Sequence, residues 1–183
     1  MGNTRLRRII LAALLASMSA VVKIIFQITT LADFRFSLYE IPLIIAGIVL
    51  GPFLALSAGF AADWVYGTAY GYGLNLMTVT AMMWGLIPGL LLYKRKITVT
   101  KLAITIFITA IIGFSINSVQ LGLWSGWLAM LGNMPIRVVI LFVSLPIQVY
   151  LVYYLHNRVV LNESINFLLP EKKDTTTLIN EKN

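Results

Sequence analysis

From Ile9 to Asn157 the chain is almost continuously apolar, and the polar stretches that interrupt it are too short to form a soluble unit. Apolar residues make up 59% of the 183-residue chain and charged residues only 11%, where a soluble domain carries about a quarter charged. The solvent for most of this chain is therefore lipid. In lipid the backbone must satisfy its own hydrogen bonds, which favours helices. Six apolar segments are read, at 9–30, 36–50, 52–66, 74–93, 101–123 and 134–156. The second and third fall short of the roughly 20 residues a straight span needs. They meet at Gly51-Pro52, a pair that continues neither helix. The expectation is an all-α integral membrane protein, a compact bundle of six transmembrane helices over residues 1–158, followed by a cytoplasmic tail at 159–183.

The net charge of +7 is distributed in a way that sets orientation rather than marking a nucleic-acid partner. Arg5, Arg7 and Arg8 precede the first segment, Lys94, Arg95, Lys96 and Lys101 occupy one loop, and Arg158, Lys172, Lys173 and Lys182 follow the last. All three clusters fall on one side of a six-span chain, which by the positive-inside rule is the cytoplasm, so both termini are expected inside. Arg5-Leu6-Arg7-Arg8 imitates the start of a signal peptide, yet the apolar run continues to Ile28, longer than such a segment, and is read as an uncleaved first helix. With no cysteine and a single histidine, His156, no disulfide, thiolate metal site or histidine-based metal site is expected. A phosphate-binding loop and a His-Glu-x-x-His motif are both missing from the sequence. No enzyme constellation is legible, and no cofactor is expected.

Ionisable groups inside or beside the apolar segments are few: Lys23, Asp33, Arg35, Glu40, Asp63 and Arg137. Each costs about 2.5–3.5 kcal/mol near the bilayer centre on insertion scales, so each should face protein, water or ligand. Most map to the outer half, beside Tyr66, Tyr70, Tyr72 and Asn75 around one outside loop and Asn117, Gln120 and Trp124 around another. Aromatic rings alone would serve as interfacial anchors. Rings together with amides, Asp and Arg suit a site that stacks a planar heterocycle and satisfies its edge. The bland alternative is that the charges pair with one another and only hold the bundle together.

Small residues recur at helical spacing. Ala12, Ala16 and Ala20 line one side of the first segment, and Gly47/Gly51, Gly85/Gly89 and Gly122/Gly126 repeat the pattern. In lipid such strips let helices approach closely. The glycine pairs are assigned to internal packing, and spacing alone leaves the alanine strip open between internal packing and a partner.

The ordered series of motifs resembles the substrate-binding S components of energy-coupling factor (ECF) vitamin importers, most closely their folate-type branch. The resemblance spans residues 9–156 and rests on Ala12-x-x-x-Ala16-x-x-x-Ala20, then Arg35, Pro42, Gly47, Gly51-Pro52 and Ala62-Asp63. It continues through Leu92-Tyr93-Lys94, Asn117, Pro135-x-Arg137 and Leu145-Pro146-Ile147-Gln148. It implies a vitamin-binding membrane subunit that takes up folate or a related pterin, delivers it with a transmembrane T subunit and two ATPase subunits, and docks on the T subunit through Ala12, Ala16 and Ala20. In that picture Asp63 or Glu40 reads the ring edge, the tyrosines and Trp124 stack on it, and Arg35, Arg137 and Lys23 meet the tail carboxylates. The chain departs from the branch at Tyr70-Gly71-Tyr72-Gly73-Leu74-Asn75, at Ile140 and Leu141, and at Glu40. Those departures lie close to the expected ligand, so another heterocyclic vitamin or precursor stays open, as does a membrane scaffold that transports nothing.

Overall fold

The computed structural model describes residues 2–29 and 38–160, with side chains over 4–25 and 38–158. Arg35, Asp33 and the tail beyond 160 lie outside the described residues. Among the described residues six α-helices follow one another: α1 (Gly2–Thr29), α2 (Glu40–Leu50), α3 (Pro52–Tyr70), α4 (Leu76–Leu92), α5 (Val99–Ser125) and α6 (Trp127–Leu155), the last ending in a π-helical turn, His156–Val160. No strand occurs among the described residues. The stretches Thr4–Ile25, Val99–Ser125 and Trp127–Arg158 are long and apolar enough to cross a bilayer. With 11 residues, α2 is about 16 Å long. It is buried along every position but Ile45, and forms the middle of the bundle.

Two reversals are made by single glycines. Gly51, at φ 90°, turns α2 directly into α3, with Pro52 at the first position of the new helix, where its missing N–H has no partner to lose. Gly126, at φ 86°, does the same between α5 and α6. Each adopts a backbone conformation that an L side chain resists. The second reversal corrects the expectation of a long loop at 124–133 and a sixth helix starting at 134. The helix begins at Trp127 and carries Pro135 and Pro146 inside it. Prolines within a membrane helix are tolerated because neighbouring groups and local adjustments re-satisfy the freed carbonyls. The third helix likewise runs four residues further than expected, to Tyr70, so the loop that follows is only 71–75.

The close approach of α2, α3 and α4 positions the site. A Cβ added to Gly47 would lie 2.6 Å from the Gly85 carbonyl oxygen and 2.8 Å from Gly89 N, and one on Gly89 would lie 2.6 Å from Pro52 Cα. Gly85 abuts the Ala55 carbonyl and Gly59 abuts the Ala81 carbonyl in the same way. The expected role of Gly47, Gly85 and Gly89 in internal packing holds: backbone meets backbone, with no side chain between. Along α3 and α4 this seam climbs one turn at a time, from Pro52–Gly89 through Ala55–Gly85 to Gly59–Ala81. One turn higher, the pair facing across it is Asp63 and Thr78. The seam brings α3 and α4 close enough for a hydroxyl to reach a carboxylate.

Candidate functional site

At the end of the bundle that carries the 71–75 loop, four helices deliver polar groups to one point. Asp63 on α3 is 3% exposed and forms an ion pair through Oδ1 with Lys23 Nζ of α1. Its other oxygen, Oδ2, accepts from Thr78 Oγ1 of α4 at 2.6 Å. Thr78 is fixed in turn by the start of its own helix. Asn75 is the N-cap, its side-chain oxygen accepting from Met77 N–H at 2.8 Å, while Thr78 Oγ1 accepts from Asn75 N–H at 3.3 Å. This reciprocal capping box satisfies two N–H groups that a helix start leaves without partners. A third N–H, that of Leu76, donates to Gln120 Oε1 of α5 at 2.9 Å. On the same pair of helices Thr80 donates to Asn117 Oδ1 at 2.9 Å. Gln120 and Asn117, expected as ligand contacts, thus spend their oxygens on locking α5 to α4.

Aromatic rings surround the ion pair. Lys23 Nζ lies 4.2 Å from the centroid of the Tyr66 ring and 4.9 Å from that of Tyr39, distances at which a ring face attracts a cation. Tyr66 leads into a chain of rings, with centroids 5.0 Å from Tyr70 and 6.3 Å from Tyr72, and Tyr72 in turn 5.8 Å from Trp124 of α5. Tyr66 is buried, whereas Tyr72 and Trp124 are each about half exposed. A hollow of about 30 Å³, room for a water molecule or so, is lined by Lys23, Asp63, Tyr66, Tyr72, Asn75, Met77 and Trp124. A wider apolar hollow of about 300 Å³ opens beside it, along Trp64, Thr68, Gly73 and Leu74.

The structure brings together Asp63, Tyr66, Tyr72, Asn75 and Trp124 around one cavity, with Tyr70 packed on its tyrosines. Two of the charged candidates lie elsewhere. Glu40 is buried between α2 and α6, where Gln148 Nε2 donates to its Oε2. Arg137 on α6 donates to Ser118 Oγ at 3.1 Å, and its guanidinium stands 5.0 Å from the Phe114 ring. Neither lines the cavity that holds Asp63. Arg35 lies outside the described residues.

The alanine strip is not on the outer surface of this bundle. Ala12, Ala16 and Ala20 are 7%, 5% and 3% exposed and belong to the chain's own core, on the side of α1 that packs against α2 and α3. The helical wheel gives the reason. Lys23 falls about 20° from Ala12 at 100° per residue, so the face that delivers Lys23 to Asp63 also turns the alanines inward. Among the residues α1 presents outward are Leu6, Ile9, Ile10, Ala13, Leu14, Ser17, Met18, Val21 and Ile25.

Sequence reasoning missed Thr78 and Tyr39 and set Lys23 against the tail carboxylates of a ligand, whereas the structure pairs it with Asp63. The signal for Thr78 was present: Asn75-x-x-Thr78 ahead of an apolar run is a capping pattern, and a capping side chain has a fixed direction.

Comparison with known proteins fits this geometry. The chain resembles a solved structure described as the crystal structure of FolT bound with folic acid, with 26% sequence identity and a TM-score of 0.73 over 82% of this chain and 92% of that one. No curated protein sequence matches it. A family model described as the S component of an ECF-type riboflavin transporter matches residues 3–156, nearly the whole apolar region. The chain belongs to that family, the S components of ECF-type vitamin transporters.

Proposed function

We propose that this multi-pass membrane subunit captures folate or a related pterin from outside the cell and passes it inward with a T subunit and two ATPase subunits. The observation that carries this reading is Asp63: a carboxylate buried at 3% exposure, ringed by tyrosines and a tryptophan, at one end of a largely apolar bundle. A buried carboxylate is an acceptor only. The ligand part that suits it is a flat ring with N–H donors on its edge, held between aromatic faces. The solved structure of FolT with folic acid supports the same ligand class. All six helices take part in the membrane bundle, with both termini and the 94–101 loop in the cytoplasm, as the placement of Arg and Lys favours. The 71–75 loop then faces outside.

Ligand pockets generally occupy about 300–1,000 Å³, so a 30 Å³ hollow has to widen. Tyr72 and Trp124, half exposed at its rim, are the side chains that swing aside. The tail carboxylates fall to Arg35 and to Arg137, which sits half-buried between α5 and α6. Contact with the T subunit uses the outward face of α1. Trp at Ser17 should abolish uptake and co-purification with the T subunit while leaving vitamin binding intact. Trp at the buried Ala16 should instead disrupt folding of the subunit itself.

The direct test incubates the purified chain with a panel of vitamins and identifies the released ligand by mass spectrometry. Folate or a pterin should be retained. Retention of a different vitamin would move the substrate, and retention of none, with no uptake by the assembled complex, would leave only a scaffold.

A further inference from the structure

We propose that Lys23 is a stand-in for the ligand at Asp63, and that the exchange of one for the other selects the 2-amino-4-oxo edge of a pterin over the imide edge of a 2,4-dioxo ring. The inference rests on the vitamin-binding reading above and adds to it which edge is chosen and by which atoms.

The geometry sets the terms of the exchange. Asp63 directs two oxygens toward two donors, the Lys23 ammonium at Oδ1 and the Thr78 hydroxyl at Oδ2. Thr78 cannot leave without breaking the capping box that starts α4. Lys23 can: it hangs on a flexible stem, and the Tyr66 and Tyr39 rings, already 4.2 and 4.9 Å from its ammonium, go on attracting the charge once the carboxylate is given up. The position Lys23 vacates is therefore where a ligand donor enters. A charge leaving a buried carboxylate needs replacement by donors, since an unpaired buried charge is strongly disfavoured.

A 2-amino-4-oxo ring presents, in order, an amino N–H, a ring N–H and a carbonyl oxygen. The two donors meet Oδ1 and Oδ2 side by side, with Oδ2 keeping Thr78 on its other lone pair, and the displaced ammonium donates to the 4-oxo oxygen. All three groups of that edge are satisfied. An imide edge, as in a flavin or a 2,4-dioxopteridine, presents one N–H between two carbonyl oxygens. Its N–H can meet Oδ1 and one carbonyl can meet Lys23, but the other carbonyl then opposes Oδ2, acceptor against acceptor. Sites built on buried hydrogen bonds reject such mismatches strongly. Of the two ligands named by the proteins this chain resembles, folic acid carries the first edge and riboflavin the second.

Pterin and lumazine test this difference, because they share a ring and differ in 2-amino against 2-oxo, the 2-oxo form carrying its extra proton on N1, on the far side of the 2-oxo group from N3. Equilibrium binding of each to the full chain in detergent should show pterin tighter by about 100-fold or more. Asn at position 63 offers one acceptor and one donor, so Asp63→Asn should reverse the order and favour lumazine. The double variant Lys23→Met/Asp63→Asn, which removes both charges together, should show the same reversal if the single variant folds poorly. Lys23→Met alone removes both the competitor at Asp63 and the donor to the 4-oxo group, so it should shift both affinities together and leave their ratio unchanged, since both ligands carry that group. Equal affinities in the unmodified chain, an unchanged ratio in both Asn variants, or a changed ratio in Lys23→Met would each overturn the proposal while leaving vitamin capture standing. If neither ring nor folate binds at all, the function proposed above fails first and takes this inference with it.

Discussion

The α2–α3–α4 seam and the polar layer above it share α3 and α4, one turn apart, with α1 bringing Lys23 to the layer, and are held by opposite means. In the seam, glycine backbones touch and a single added carbon would collide with a carbonyl or an amide. In the layer, Asp63, Lys23 and Thr78 are held by paired polarity. A seam fixed by shape admits no substitute, while a layer fixed by hydrogen bonds accepts any group that offers the same donors. The first gives the bundle its rigidity and the second gives it something to exchange with a ligand. The close approach is also what makes the exchangeable layer possible, since Thr78 reaches Asp63 only because Gly59 lets α3 meet α4 at Ala81.

Substitutions should separate the two regions. The largest effect is expected from Gly85→Leu, which drives a side chain into the Ala55 carbonyl. Overpacking of this kind costs about 1–3 kcal/mol when a core can yield, and more here because the obstacle is backbone. Size-exclusion profiles should show no monodisperse protein. Next comes Asp63→Ala, which strands the Lys23 ammonium. It should cost about 3–5 kcal/mol of stability, read as a lower melting temperature in detergent. Lys23→Met/Asp63→Ala should recover much of that loss, something no second substitution beside Gly85 would do. A smaller effect is expected at Arg137, away from the cavity: Arg137→Gln should weaken folate about tenfold through its tail and leave pterin, which has no tail, untouched. If pterin weakens equally, Arg137 acts on the ring site through α5. The smallest is Gly132→Ala on α6, where an added Cβ meets nothing within 4 Å. It should raise stability slightly, by up to about 1 kcal/mol, and shows that intolerance belongs to the seam and not to glycine as such.

Much of this was legible in the sequence because lipid simplifies the grammar. Apolar runs, Gly51-Pro52 and the glycine spacing located the helices and their packing. Asp63 stood out because a carboxylate in such a run needs a reason. Direction was harder to read. The alanine strip had two faces to choose from, and only the pairing of Lys23 with Asp63 decides that Ala12, Ala16 and Ala20 turn inward. The start of α6 was misplaced because Pro135 reads as a boundary in soluble sequences, whereas in a membrane helix it is accommodated inside. Glu40 and Gln148 are 108 residues apart, and nothing local announces a bond between them.

The most direct test of Asp63 as the ligand-reading group is folate binding by the unmodified chain and by Asp63→Asn, each titrated in detergent by quenching of tryptophan fluorescence, with folding checked by thermal melt. Tight, saturable binding to the unmodified chain and a loss of about 100-fold or more in the folded variant are expected. Equal folate affinity in both proteins would place the ligand somewhere other than the layer formed by Lys23, Asp63 and Thr78.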